Sequence, residues 1–149
     1  MPGIQTTQSA EVFVDYDRVV LKMGKFQATI PYAIAFKIAQ GIRVSAKHIQ
    51  RINHVSETWT EIAEDPNLEP RTYVERGRKP IRPKAWAVNL SGETVVLVFD
   101  DVRAEMHFSD ALRISQWLRI AGRQCKRNVG DSTRHMNAAG MLTDAALNR

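Results

Sequence analysis

Residues 86–127 read WAVNLSGETVVLVFDDVRAEMHFSDALRISQWLRIAGRQCKR and residues 10–51 read AEVFVDYDRVVLKMGKFQATIPYAIAFKIAQGIRVSAKHIQR, and the two align without a gap at a constant offset of 76 positions. Val19-Val20-Leu21 falls on Val95-Val96-Leu97, Ala28 on Ala104, Ala35 on Ala111, Ile38 on Ile114, Gln40 on Gln116, Arg43 on Arg119 and Arg51 on Arg127. Between these identities apolar replaces apolar, as in Met23/Phe99, Ile30/Met106, Ile42/Leu118 and Ile49/Cys125, and cation replaces cation at Lys37/Arg113 and Lys47/Arg123. Residue class kept over a whole stretch at one fixed spacing is the mark of a duplicated structural unit.

The internal pattern of the unit gives its secondary structure. Val12 and Val14 alternate with Phe13 and Asp15, Asp15-Tyr16-Asp17 supplies turn chemistry, and the alternation resumes in Val19 to Met23. Gly24-Lys25 reads as a tight turn and Phe26 to Ile30 as a third strand. Pro31 then suits the first turn of a helix, along which Tyr32, Ala35, Phe36, Ala39, Ile42, Ala46 and Ile49 form an apolar stripe. The second copy repeats this with strands around Ala85–Leu90, Thr94–Phe99 and Val102–Met106 and a helix from about Ser109. The fold class is α+β: an internal duplication of a βββα unit, a three-stranded antiparallel meander plus a helix. A core of roughly forty residues is marginal alone, so the two units are expected to pack pseudo-symmetrically as one domain.

Around the units the reading is a flexible N-terminal arm (1–9), a first unit (10–52), a connector (53–84), a second unit (85–127) and a C-terminal tail (128–149) holding at most a weak helix. The connector changes character along its length. Ser56 to Asp65 is acidic and reads as a short helix, whereas Arg71 to Lys84 is basic and broken by Pro80 and Pro83, which suggests an extended arm. Cys125 is the only cysteine, which excludes an internal disulfide and CxxC zinc clusters and points to a reducing, cytoplasmic setting. The first residues lack the apolar run of a signal peptide, and no apolar stretch is long enough for a bilayer, so no membrane association is expected.

The 149 residues carry a net charge of +5 and a pI of about 9.7, which favours anionic partners. Catalysis is not indicated. Cys125 fills the apolar slot of Ile49, and GxSxG, P-loop and GxGxxG motifs are absent. The four histidines have no spacing suited to a metal, and the carboxylates of Glu57, Glu61, Glu64, Asp65 and Glu69 read as a solvated face or a mate for the basic arm. No cofactor is expected.

The cations are more informative. Lys37, Arg43, Lys47 and Arg51 fall on one flank of the first helix, and Arg113, Arg119, Arg123 and Arg127, with Lys126, repeat them on the second. With the arm residues Arg71, Arg76, Arg78, Lys79, Arg82 and Lys84, they form a candidate phosphate-binding set centred on Arg43, Lys47, Arg51, Arg119, Arg123 and Arg127. The bland alternative for any one helix is a solvated flank. A β-meander followed by a helix, present twice, is similar in general layout to the Whirly and Pur-type single-strand nucleic-acid binders, which also pair two such units; the resemblance is one of layout, without any diagnostic motif. The leading expectation is a small non-catalytic nucleic-acid-binding protein, single and double strands not being distinguished by charge alone. The rival is a protein-interaction module that meets a protein partner, or a second copy of the chain, through an apolar outer sheet surface at Val20, Val96 and Val98. Both faces of the Thr94–Phe99 strand are apolar, as expected where something covers each side.

Overall fold

Two-residue turns cut each half of the chain into strands of equal length. The computed structural model describes the backbone of residues 3–6, 10–52, 69–75, 77 and 79–147, and the side chains of residues 10–51, 69–75, 77 and 79–130. Strands β2 (Ala10–Asp15), β3 (Arg18–Met23) and β4 (Phe26–Pro31) lead into α1 (Tyr32–Ile52). Strands β6 (Trp86–Ser91), β7 (Thr94–Phe99) and β8 (Val102–His107) lead into α2 (Phe108–Leu147). Strands β1 (Gly3–Thr6) and β5 (Arg71–Thr72) complete two sheets, ordered β1-β8-β7-β6 and β4-β3-β2-β5. All three strands of the second meander begin and end 76 residues after those of the first.

The turns follow the same spacing. Tight hairpins need positive φ to match the strand twist, and it occurs at Tyr16 (54°) and Gly92 (62°), then at Gly24 (60°) and Asp100 (53°). Glycine takes this conformation freely, whereas an L side chain there costs about 1–2 kcal/mol. Hydrogen bonds to distant parts of the chain are made at both non-glycine positions. The Asn128 side chain donates to the Tyr16 carbonyl at 2.9 Å and the Tyr16 hydroxyl to the Asn128 carbonyl at 3.3 Å. The Asp100 carboxylate accepts from the backbone N–H groups of Lys84 and Ala85 at 2.9 and 3.0 Å.

The inner faces of both sheets and the apolar stripes of both helices form one core. Val12, Val14, Leu21, Met23, Ala28 and Ile30 face it from the first sheet, and Val95, Leu97, Phe99, Ala104 and Met106 from the second. Burying a side chain such as Phe99 or Leu21 contributes about 1.5–3 kcal/mol. The helices run antiparallel, since Ala39 meets Ser115 while Phe36, earlier on α1, meets Gly122, later on α2. Small residues make this approach possible: a Cβ on Gly122 would lie 2.8 Å from the Phe36 ring. Each helix crosses both sheets, α1 resting on β6 and β7 as well as β3 and β4, and α2 on β2 and β3 as well as β7 and β8.

Three segments differ from the sequence-based expectation. Within the proposed flexible arm, Gly3–Thr6 is an edge strand parallel to β8, pairing Gly3 with Val102 through Thr6 with Glu105. It covers ladder groups that a bare edge would expose. The basic connector is extended, as read, but packed: Phe13 pairs with Arg71, Tyr73 N–H donates to the Val14 carbonyl, and Ile81 exchanges 2.9 Å bonds with Gln27 and Thr29 on the opposite edge of the same sheet. The second helix continues past Arg127 to Leu147, through the segment taken as a tail. Its alanines favour helix. The acidic helix expected over Ser56–Asp65 lies outside the described residues.

Candidate nucleic-acid interface

The geometry of the helix pair places six of the candidate cations. At 100° per residue, Arg43, Lys47 and Arg51 stand about 40°, 80° and 120° around α1 from Ala39, on the side where Phe36 meets α2. Sheet-facing residues such as Ile38 and Ile42 lie on the other side of Ala39. The row therefore follows the helix–helix groove on the face turned away from the sheets. Arg119, Arg123 and Arg127 hold the same positions relative to Ser115 on α2. Because the helices are antiparallel, the two rows run outward in opposite directions from the crossing. Arg51, Arg123 and Arg127 are exposed, and Arg43, Lys47 and Arg119 are half-buried. The Nε atoms of both Arg43 and Arg119 are buried, so the stems of both side chains are covered by their neighbours.

The connector cations form a separate group. Arg71 bonds Glu11 at 3.2 Å, and its guanidinium sits 4.8 Å from the Phe13 ring centre and 5.5 Å from that of Trp117 on α2. Lys79, Arg82 and Lys84 are exposed along the segment that Ile81 ties to β4. Arg82 lies close enough to Arg18 to add to the lowering of the Arg18 pKa, of which burial is the larger cause. The Arg18 guanidinium donates to the hydroxyl and carbonyl of Thr29 at 3.1 Å. Phe13, Arg18, Gln27 and Thr29 belong to the outer face of the first sheet, opposite the core-facing Val12, Val19, Ala28 and Ile30. Arg82, beside Arg18, thus lies on the side of that sheet away from the helix rows, while Arg71 stands at its edge between that face and α2. Arg76 and Arg78 fall outside the described residues.

The connector also changes the reading of the apolar sheet face. Tyr73 packs edge-on against Phe13 of β2, with ring centres 6.1 Å apart, and its hydroxyl donates to Gln27 of β4 at 2.9 Å, so it spans β3. Val20, beneath this span, is fully buried. Val96 is also fully buried and Val98 half-buried, so the three valines do not form an open apolar surface. Tyr73 was not legible as a site residue, since only the pairing of Arg71–Thr72 with β2 carries it over the sheet. Burial raises its pKa, with Glu75 and Asp15 adding to the shift. Beside it is a cleft of about 270 Å³ lined by Phe13, Lys22, Gln27, Thr72, Tyr73 and Val74.

Cys125 is buried, its thiol 3.3 Å from the Arg18 carbonyl, and burial pushes its pKa up to about 11. That is the opposite of an activated nucleophile. Among the described residues no helix is long and apolar enough to cross a membrane. Comparison of the chain with protein-family models, curated proteins and solved structures gives no significant match.

Proposed function

We propose that the chain is a duplicated βββα protein, its units related by a pseudo-twofold axis near Ala39 and Ser115, and that it binds nucleic acid without catalysing a reaction. The reading is carried by the placement of Arg43, Lys47 and Arg51 against Arg119, Arg123 and Arg127: equivalent rows on antiparallel helices, on one face, meeting at the crossing. From Ala39 to Arg51 is twelve residues, so at 1.5 Å per residue the paired rows extend over at most about 36 Å. That is close to one turn of duplex DNA, about 34–36 Å, which sets the number of phosphates within reach. The matched strand limits and the matched positive-φ turns support the duplication. A reducing compartment, the cytoplasm, suits a single buried thiol.

Titration of labelled single- and double-stranded oligonucleotides with the purified protein at low salt tests this reading. Submicromolar binding is expected, and absence of binding to either would sink it.

A further inference from the structure

The cleft between the connector and the outer face of the first sheet is not used by the helix rows. Its walls are the rings of Phe13 and Tyr73, both half-buried, and its mouth is bordered by Val74, which is 64% exposed. Lys22 brings one ammonium to it, and Gln27 a carboxamide whose oxygen already accepts from Tyr73, leaving its NH₂ as a donor for a ring carbonyl or ring nitrogen. At about 270 Å³ it falls just below the roughly 300–1,000 Å³ of ordinary ligand pockets. It is suited to one flat heterocycle rather than a larger ligand.

We infer that this cleft receives an unpaired nucleobase, stacked on Tyr73 with the inclined Phe13 ring against its edge and bonded by the Gln27 amide, with the adjoining phosphate on Lys22. The inference rests on the nucleic-acid reading and deepens it towards single strands, because a base held in a duplex would have to unpair and unstack to reach the cleft, whereas an unpaired base enters without that cost. Charge sets the orientation. Glu75 and Asp15 bear on the Tyr73 hydroxyl, and Glu11 is taken up by Arg71, so the phosphate belongs on the Lys22 side. Arg71, in cation–π range of both Phe13 and Trp117, stands at the sheet edge between this face and α2, where a strand passing from the helix rows to the cleft would turn. Aromatic stacking with cations alongside is the usual means of holding single strands.

The test compares a labelled oligothymidylate with a duplex of equal length, using wild type, Tyr73→Leu, Phe13→Leu and Tyr73→Phe. The two leucine variants are expected to weaken single-strand binding about tenfold and to leave duplex binding within about twofold, which also reports an intact fold. Tyr73→Phe keeps the ring and stays near wild type. Lys22→Gln, on an accessible strand position, lowers single-strand affinity and its salt slope by about one contact. Should a leucine variant fail to fold, photocrosslinking of 5-iodouridine oligonucleotide to the wild-type protein replaces it, with Tyr73 or Phe13 as the expected site. Wild-type binding with single-strand affinity unchanged in both leucine variants, or crosslinks only elsewhere, overturns the cleft assignment and leaves the helix-row reading standing. Wild type that binds neither strand form removes both.

Discussion

The Ser115 hydroxyl donates a 2.8 Å hydrogen bond to the carbonyl of Ala39, joining positions 76 residues apart. That separation is also the spacing at which strand limits and positive-φ turns recur. On the proposed twofold relation between the units, contact between equivalent residues marks where the axis passes the helix crossing. Small side chains are needed there, and Ala39, Ala35 and Ser115 are buried at this contact layer.

Ser115→Ala removes the donor but leaves the Ala39 carbonyl within its own helix. It is expected to cost about 1 kcal/mol in urea unfolding. Ala39→Leu forces extra volume between the helices and is expected to cost about 1–3 kcal/mol. Full stability in the leucine variant would mean that the helices do not cross at these residues.

Two glycines in the helices should respond differently to alanine. At Gly122 the new Cβ meets the Phe36 ring at 2.8 Å, an overlap whose cost exceeds the roughly 1 kcal/mol gained in helix propensity. At Gly41 the nearest atom is a Val88 methyl at 3.3 Å, so propensity and crowding nearly cancel. Thermal melting is expected to show a clear loss for Gly122→Ala and little change for Gly41→Ala.

Cys125 offers a chemical probe of the core. With its pKa raised from 9.0 to about 11, the folded protein at pH 8 holds about a hundredfold less thiolate than an ordinary cysteine. Modification by a thiol reagent is expected to be slow in buffer and fast in denaturant. The unfolded chain gives up this proton near pH 9 and the folded one near pH 11, so deprotonation favours unfolding. Its contribution to stability is intact below about pH 9 and falls away as pH rises through about 11. Cys125→Ala is expected to lack this part of the alkaline loss, measured as a shallower dependence of unfolding free energy on pH.

Strand alternation and turn chemistry were legible because they are local. Val12, Val14, Leu21 and Met23 mark one face by their own spacing, and Gly24 and Gly92 mark turns without reference to the rest of the chain. What caps the sheet edges was not legible. Gly3–Thr6 and Arg71–Thr72 are short and largely polar, and they pair because β8 and β2 offer open edges. The same cause hid the course of Tyr73 across β3, on the face that carries the buried Val20. The cation rows were visible as a helical pattern, since Arg43, Lys47 and Arg51 recur every fourth residue. Their separation from Lys79, Arg82 and Lys84 was not, because the tie between Ile81 and β4 decides which side of the sheet the connector takes.

The most direct measurement is the salt dependence of duplex binding for wild type and for the triple variant Arg51→Gln, Arg123→Gln, Arg127→Gln. All three positions are exposed, so the core is untouched. Each phosphate contact contributes about 0.9 to the slope of log affinity against log salt. Six row contacts predict a wild-type slope of about −5 and a variant slope shallower by about 2.7. A wild-type slope near zero, or the same steep slope in the variant, would contradict the assignment of phosphate binding to the helix rows.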